Sequence, residues 1–73
     1  MTKLPVISGK KCVDALAKVG FNFDHQKGSH MILLRGDPFA RVSIPNHKTI
    51  KKGTLKSIIR QSGLTVEGFI ELL

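Results

Sequence analysis

The sequence has 73 residues, of which twelve are Lys or Arg and five are Asp or Glu, so its formal net charge is +7. This length leaves no room for a nucleotide-binding domain joined to a catalytic domain, for a (β/α) barrel or for a multi-domain enzyme, and we predict a single domain over residues 1–73. Cys12 is the only cysteine, which excludes an intrachain disulfide and a cysteine-ligated structural zinc. We expect a cytoplasmic protein, because neither a signal peptide nor an apolar run of membrane-spanning length is visible.

The first predicted element is a helix over about residues 9–19. Ser8 is a suitable N-cap and Gly20 a suitable stop signal. Between them, apolar residues recur at helical spacing at Cys12, Val13, Leu16, Ala17 and Val19.

Three strands follow, predicted over residues 21–26, 30–35 and 39–44, with turns over residues 27–29 and 36–38. Such short turns make consecutive strands antiparallel neighbours. With the first turn centred between Lys27 and Gly28, His25 faces His30. With the second turn centred on Asp37, His30 faces Ile44. The face that the helices would cover then contains Phe21, Phe23, Ile32, Leu34, Ala40, Val42 and Ile44. A one-residue slip would reverse the faces but keep His25, His30 and the segment leading to His47 at one end of the sheet.

A second helix carries the apolar stripe Leu55, Ile58 and Ile59 and ends at Gly63. Thr65 then caps a short C-terminal helix. The order predicts a small two-layer α+β domain, α-β-β-β-α, with an antiparallel three-stranded sheet, helices on one face and a short extra helix.

His30 is the strongest candidate for chemistry, since it follows a glycine turn at the start of the middle strand. Histidine suits proton transfer because its ordinary pKa lies near physiological pH. From placement alone, two interpretations stay open: a catalytic histidine, or an exposed strand-end histidine without a role.

A run of five cations without an acid is the second candidate feature: Lys48, Lys51, Lys52, Lys56 and Arg60. Lys52, Lys56 and Arg60 recur every fourth residue, and like charges at that spacing repel one another along a helix. A phosphate backbone or an acidic partner surface would relieve the repulsion. The alternative is a solvated helix face.

Other site classes are poorly supported. The acidic residues are scattered, which argues against a two-metal site. His25, His30 and His47 have no spacing typical of zinc ligands. We therefore expect no metal and no cofactor.

Several fragments occur along the chain in a characteristic order: Ser8-Gly9-Lys10, Leu16 with Gly20-Phe21, Gly28-Ser29-His30, Pro45-Asn46-His47, Gly53-Thr54-Leu55 and the stretch over residues 58–64. In this order and spacing they resemble the HicA (YcfA-like) mRNA interferase family, the toxin half of type II toxin–antitoxin pairs. The resemblance covers nearly the whole chain and implies a fold like that of double-stranded-RNA-binding domains.

The resemblance also implies that His30 is essential for cleavage of single-stranded mRNA, with Gly28 and Ser29 shaping its loop. The reaction needs a second proton-transfer group, for which His47 is a candidate beside His25, Lys27 and water. The RNA 2′-OH would serve as nucleophile, without a metal. Lys27 and the five cations named above are the predicted phosphate-binding residues. The implied partner is a HicB-type antitoxin, which would neutralise the endoribonuclease and could build a higher-order assembly with it. The alternative function is a non-catalytic module that binds double-stranded RNA by shape.

Overall fold

The computed structural model describes residues 4–36 and 39–73. Its elements, in chain order, are α1 (Gly9–Ala17), β1 (Asn22–Lys27), β2 (His30–Arg35), β3 (Ala40–Pro45), α2 (Lys52–Ser62) and α3 (Val66–Ile70). The three strands form one antiparallel sheet in the order β1-β2-β3. The predicted α+β class and element order are therefore confirmed. Within the described ranges, no helix combines the length and the apolar character needed to cross a membrane.

The helix ends follow the local sequence closely. The Ser8 side chain accepts a hydrogen bond from the Lys11 backbone N–H at 3.1 Å, and Thr65 does the same for Gly68 at 3.0 Å. Gly63 ends α2 in the left-handed conformation, with φ +80°. The predicted end of α1 at Val19 is two residues too late, because the chain tightens into i→i−3 bonds at Lys18 and Val19.

The strand register differs from the predicted one by two residues next to the first turn and by one residue in the second hairpin. Lys27 pairs with His30, so the first turn is centred between Gly28 and Ser29. In the second hairpin, Ile44 pairs with Met31. The predicted second turn includes Asp37 and Pro38, which lie outside the described residues.

The one-residue difference in the second hairpin changes which side of β2 is covered by the helices. The covered face of the sheet contains Met31, Leu33, Ala40, Val42 and Ile44, all in or against the hydrophobic core. The open face contains His25, Lys27, His30, Ile32, Leu34, Arg41 and Ser43. The prediction was therefore right for β3 and wrong for Ile32 and Leu34.

Phe23 also departs from the predicted core, since its side chain is 54% exposed. A bulge between Phe23 and His25 interrupts the β1–β2 ladder, and all six residues of β1 are exposed. A bulge shifts side chains out of simple alternation, which explains why the pattern in this strand misled the prediction.

The core lies between the covered face and the two longer helices. Cys12, Leu16, Leu33, Val42, Ile44 and Leu55 have no exposed surface. Burial of each large aliphatic side chain contributes about 1.5–3 kcal/mol before chain entropy is considered. Arg35 closes one end, with its guanidinium 4.9 Å from the Phe21 ring centroid and a hydrogen bond to the Ser62 carbonyl at 3.3 Å.

Candidate active site

The β1–β2 hairpin presents His30 at the end of the open face. The two loop residues are Gly28 and Ser29, and Gly28 has φ +60°, which disfavours any residue with a Cβ. Positive φ at the first residue of a two-residue loop is typical of type II′ hairpins. His30 is the first residue of β2 and is exposed, whereas the next three residues of that strand are buried.

His30 borders two shallow depressions in the surface. The first, the sheet depression, has a volume of about 580 Å³ and is lined by Lys27, His30, Ile32, Arg41, Ser43 and Gln61. The second, the loop depression, has a volume of about 250 Å³ and is lined by His30, Pro45, His47, Thr49, Lys51 and Thr54. The structure thus brings His30 and the segment that carries His47 to one end of the sheet, as predicted for either register, and Lys27 and Lys51 lie there as well. His25 is opposite Ile32 and lines neither depression.

Backbone hydrogen bonds hold the segment that carries His47 against this end of the sheet. The Asn46 N–H donates to the Ser29 carbonyl at 2.7 Å, and the Gly9 N–H donates to the His47 carbonyl at 2.9 Å. A Cβ atom at Gly9 would stand 2.1 Å from the Pro45 carbonyl oxygen, so the start of α1 approaches this segment more closely than any side chain allows. The relative placement of His30 and His47 is therefore fixed by main-chain contacts.

The start of α2 adjoins the loop depression. Lys51 is the N-cap residue and makes no side-chain capping bond. The first backbone N–H groups of a helix lack intrahelical partners and carry partial positive charge, which favours anions nearby. The Lys51 side chain adds a full charge on the same side.

The three histidines differ in their surroundings. His25 Nδ1 lies 2.6 Å from Asp24 Oδ2, so its ring is held by its own neighbour in β1. Among residues 4–36 and 39–73, the imidazoles of His30 and His47 have no hydrogen-bond or ion-pair partner. The same part of the chain contains no group of three or more His, Cys, Asp or Glu that could hold a metal ion.

The predicted phosphate-binding residues do not form one surface. Lys27 and Lys51 line the two depressions beside His30. Lys56 and Arg60 line a separate depression between α2 and α3. Lys48 and Lys52 are exposed and border none of these depressions.

Sequence reasoning missed several residues that border His30, among them Arg41, Ser43 and Gln61. Arg41 and Ser43 alternate with the buried Val42 and Ile44, which is a signal that β3 presents them to the other face. Gln61 reaches the sheet depression only through the packing of α2 beside β3, and no local pattern encodes that packing.

Comparison with known proteins gives a consistent result. A family model described as the HicA toxin of bacterial toxin–antitoxin systems matches residues 9–64, well over half of the chain. No protein in the curated set matches the chain significantly. The matched range includes both depressions and every candidate residue discussed above, and membership of this family implies an antitoxin partner. The chain belongs to the HicA toxin family of bacterial toxin–antitoxin systems.

Proposed function

We propose that this toxin is a metal-independent endoribonuclease, an mRNA interferase, in which His30 transfers a proton during cleavage of single-stranded RNA. The observation that carries the proposal is the position of His30, an exposed histidine at the junction of two depressions that hold cations from three different elements. Cations stabilise the charge that develops on phosphorus, and an unpartnered imidazole is free to bind a substrate hydroxyl.

The RNA supplies the nucleophile in this reaction. His30 removes the proton from a 2′-OH, the 2′ oxygen attacks the adjacent phosphorus, and the bond from phosphorus to the 5′ oxygen breaks. A second group gives a proton to the departing 5′ oxygen. The products are a 2′,3′-cyclic phosphate and a 5′-hydroxyl, so that atoms and protons balance without a further reactant.

His47 is the preferred second group. It lines the loop depression together with His30, and its backbone is held by Gly9. His25 is less suitable because its ring is already bonded to Asp24. Lys27 and Lys51 lie on the two sides of His30, where either ammonium group can contact a phosphate oxygen.

Gly28 and Ser29 act through the shape of the hairpin loop. The positive φ of Gly28 closes the two-residue turn, and the Ser29 carbonyl accepts the hydrogen bond that docks the segment of His47. We therefore assign both residues to the support of the catalytic loop and not to the reaction itself.

The remaining cations, Lys48, Lys52, Lys56 and Arg60, are exposed around α2 and bind the RNA backbone outside the reacting centre. A HicB-type antitoxin is the proposed inhibitor, and it would mask His30 together with some of these cations. The toxin acts on RNA in the cytoplasm in this proposal, where both the substrate and the antitoxin are made.

The test is cleavage of a single-stranded RNA in the presence of EDTA. We expect the rate to fall about 100-fold or more for His30→Ala, in the range typical of a general acid or base, and about tenfold or more for His47→Ala. His25→Ala is the matched control, because it removes an exposed histidine of the same sheet, and we expect a rate within about threefold of the parent.

Three results separate the proposal from its alternative. Cleavage that continues at the parent rate in His30→Ala contradicts the assignment of His30. Cleavage that EDTA abolishes and added metal restores contradicts the metal-independent mechanism. Tight binding of duplex RNA without cleavage by the parent protein identifies the non-catalytic double-stranded-RNA-binding module instead.

A further inference from the structure

We propose that the sheet depression is a subsite for one unpaired nucleotide next to the scissile phosphate, in which Arg41 binds the flanking phosphate and Gln61 contacts the base. This inference rests on the proposed function for the identity of the reacting phosphate. Nothing in the family match assigns a role to either residue.

The depression contains the groups that a nucleotide needs. Its lining combines two cations, a hydroxyl, a carboxamide and an aliphatic side chain, drawn from all three strands and from α2. Among residues 4–36 and 39–73, no acidic residue lines it. A site for a simple anion needs only donors, whereas Ser43 and Gln61 both donate and accept hydrogen bonds, as the edge of a nucleobase requires.

The separation of Arg41 from His30 assigns the two residues to different phosphates. In the β2–β3 ladder His30 is opposite Pro45, while Arg41 is opposite Leu34. Arg41 lies four positions before Pro45 on β3, which corresponds to roughly 13 Å between their Cα atoms. At that separation Arg41 is better placed to bind the neighbouring phosphate than the phosphate at which His30 acts.

Ile32 forms the apolar floor between these two ends. Its side chain is only 5% exposed, although it lies outside the hydrophobic core and on the open face. It lines the sheet depression together with Lys27 and Arg41. A base that moves the apolar stems of these two side chains aside gains contact with Ile32 while both charges stay at the rim.

The shape favours a single strand over a duplex. In an RNA duplex the Watson–Crick edges are paired and the bases are stacked inside, so that a side chain such as Gln61 has no free base edge to contact. A concave site reached by one amide and one hydroxyl fits a base that is already unstacked.

Binding is measured in the His30→Ala background, so that the RNA stays intact. The probe is a fluorescein-labelled, ten-nucleotide single-stranded RNA followed by anisotropy at several salt concentrations. We expect Arg41→Ala to raise Kd about tenfold, as for a lost charged hydrogen bond, and to reduce the salt slope by about 0.7, as for one single-strand phosphate contact. Lys10→Ala is the matched control, since it removes one exposed charge from α1, and Kd should stay within about twofold.

Base contact is measured with active protein. RNA of randomised sequence is cleaved, and the ends are sequenced to give the nucleotide preference at each position around the cut. We expect Gln61→Ala to weaken the preference at one position adjacent to the cut while the overall rate falls less than about fivefold. Gln61→Glu, which replaces the donor by an acceptor, should change the preferred base at that same position.

The outcomes distinguish the subsite from the function. If Arg41→Ala and Gln61→Ala bind and cleave like the parent while His30→Ala is inactive, the subsite is wrong and the ribonuclease stands. If the parent does not cleave but Arg41→Ala still weakens binding of the single strand by the expected factor, the ribonuclease is wrong and the binding site stands. Equal loss of duplex and single-strand affinity in Arg41→Ala contradicts a subsite for an unpaired nucleotide. Arg41→Lys keeps the charge, so its Kd for the single-stranded RNA should lie between those of the parent and Arg41→Ala. This variant serves as the control for a general loss of structure.

Discussion

On β3, Val42 and Ile44 are fully buried beneath the helices, whereas Arg41 and Ser43 are exposed on the opposite side of the same strand. The same division holds for β2, where Leu33 lies in the core and His30 borders the depressions. The covered face therefore carries the packing, and the open face carries the cations and the imidazole. Because side chains alternate along a strand, a 73-residue chain can use one sheet for both purposes.

Because the two faces are separate, the residues of the candidate site make few of the contacts in the hydrophobic core. The residues that line the two depressions, Pro45 and Ile32 excepted, are exposed, so substituting them removes few packed contacts. The reverse holds for the covered face, where Met31, Leu33, Val42 and Ile44 are buried under the helices. Changes on the open face should therefore alter activity with little effect on folding, and changes on the covered face should do the opposite.

The largest expected stability difference between the faces is that between Leu33→Ala and Ile32→Ala. Leu33 has no exposed surface and belongs to the core, so truncation should cost about 2–5 kcal/mol of unfolding free energy. Ile32 lies outside the core cluster and lines the sheet depression, where every other lining side chain is polar, so its truncation should cost less than half as much. Urea unfolding of both variants followed by circular dichroism measures the difference. Equal losses would show that the open face packs as a second core.

The sequence predicted the element order and most boundaries because those depend on local signals. Ser8, Gly63 and Thr65 are capping residues whose effect needs only the adjacent turn. The faces of β3 were also predictable, because Arg41 and Ser43 alternate with apolar residues. That alternation indicates which side of the strand is covered.

The faces of β2 were not predictable in this way, because residues 31–34 are all aliphatic and show no alternation. Only the turns decide the register there, and the pairing of β2 with β3 differs by one residue from the predicted one. His30 was nonetheless placed at the correct end of the sheet, since a one-residue slip reverses faces and not ends. Gln61 could not be found, because its neighbours come from the packing of α2 on β3.

The second-largest expected effect on stability concerns the close approach of Gly9 to the Pro45 carbonyl, near the end of the sheet that carries His30. Gly9→Ala places a Cβ against the Pro45 carbonyl, so we expect a loss of about 1–3 kcal/mol from forced displacement. The cleavage rate should also fall, because the segment that carries His47 moves. Gly53→Ala is the matched control, since its Cβ meets nothing within 4 Å and lies in α2, and it should gain about 0.4–1 kcal/mol. Thermal unfolding of both variants gives the comparison. A Gly9→Ala protein as stable as the parent would mean that α1 and residues 45–47 can separate at no cost.

The smallest expected effect concerns Cys12, which lies in the core beneath the covered face. Burial raises the pKa of its thiol from 9.0 to about 12, because the thiolate would lose its hydration there. The folded protein therefore keeps this proton at a pH where the unfolded chain has lost it. The resulting stabilisation is fully present below about pH 9 and is lost as the pH rises towards 12.

Between pH 8 and pH 10, the parent should thus lose about 1 kcal/mol more unfolding free energy than Cys12→Ala, whose core has no group to titrate. Urea unfolding at both pH values measures this difference. Each protein is compared with itself at the two pH values, so the packing cost of removing the sulfur cancels. The thiol should also resist a disulfide reagent in the folded protein and react at once in denaturant. Identical pH dependence in the parent and Cys12→Ala, or rapid reaction of the folded thiol, would mean that water reaches the covered side. Either result would contradict the distinction between a buried face and an open face of the sheet.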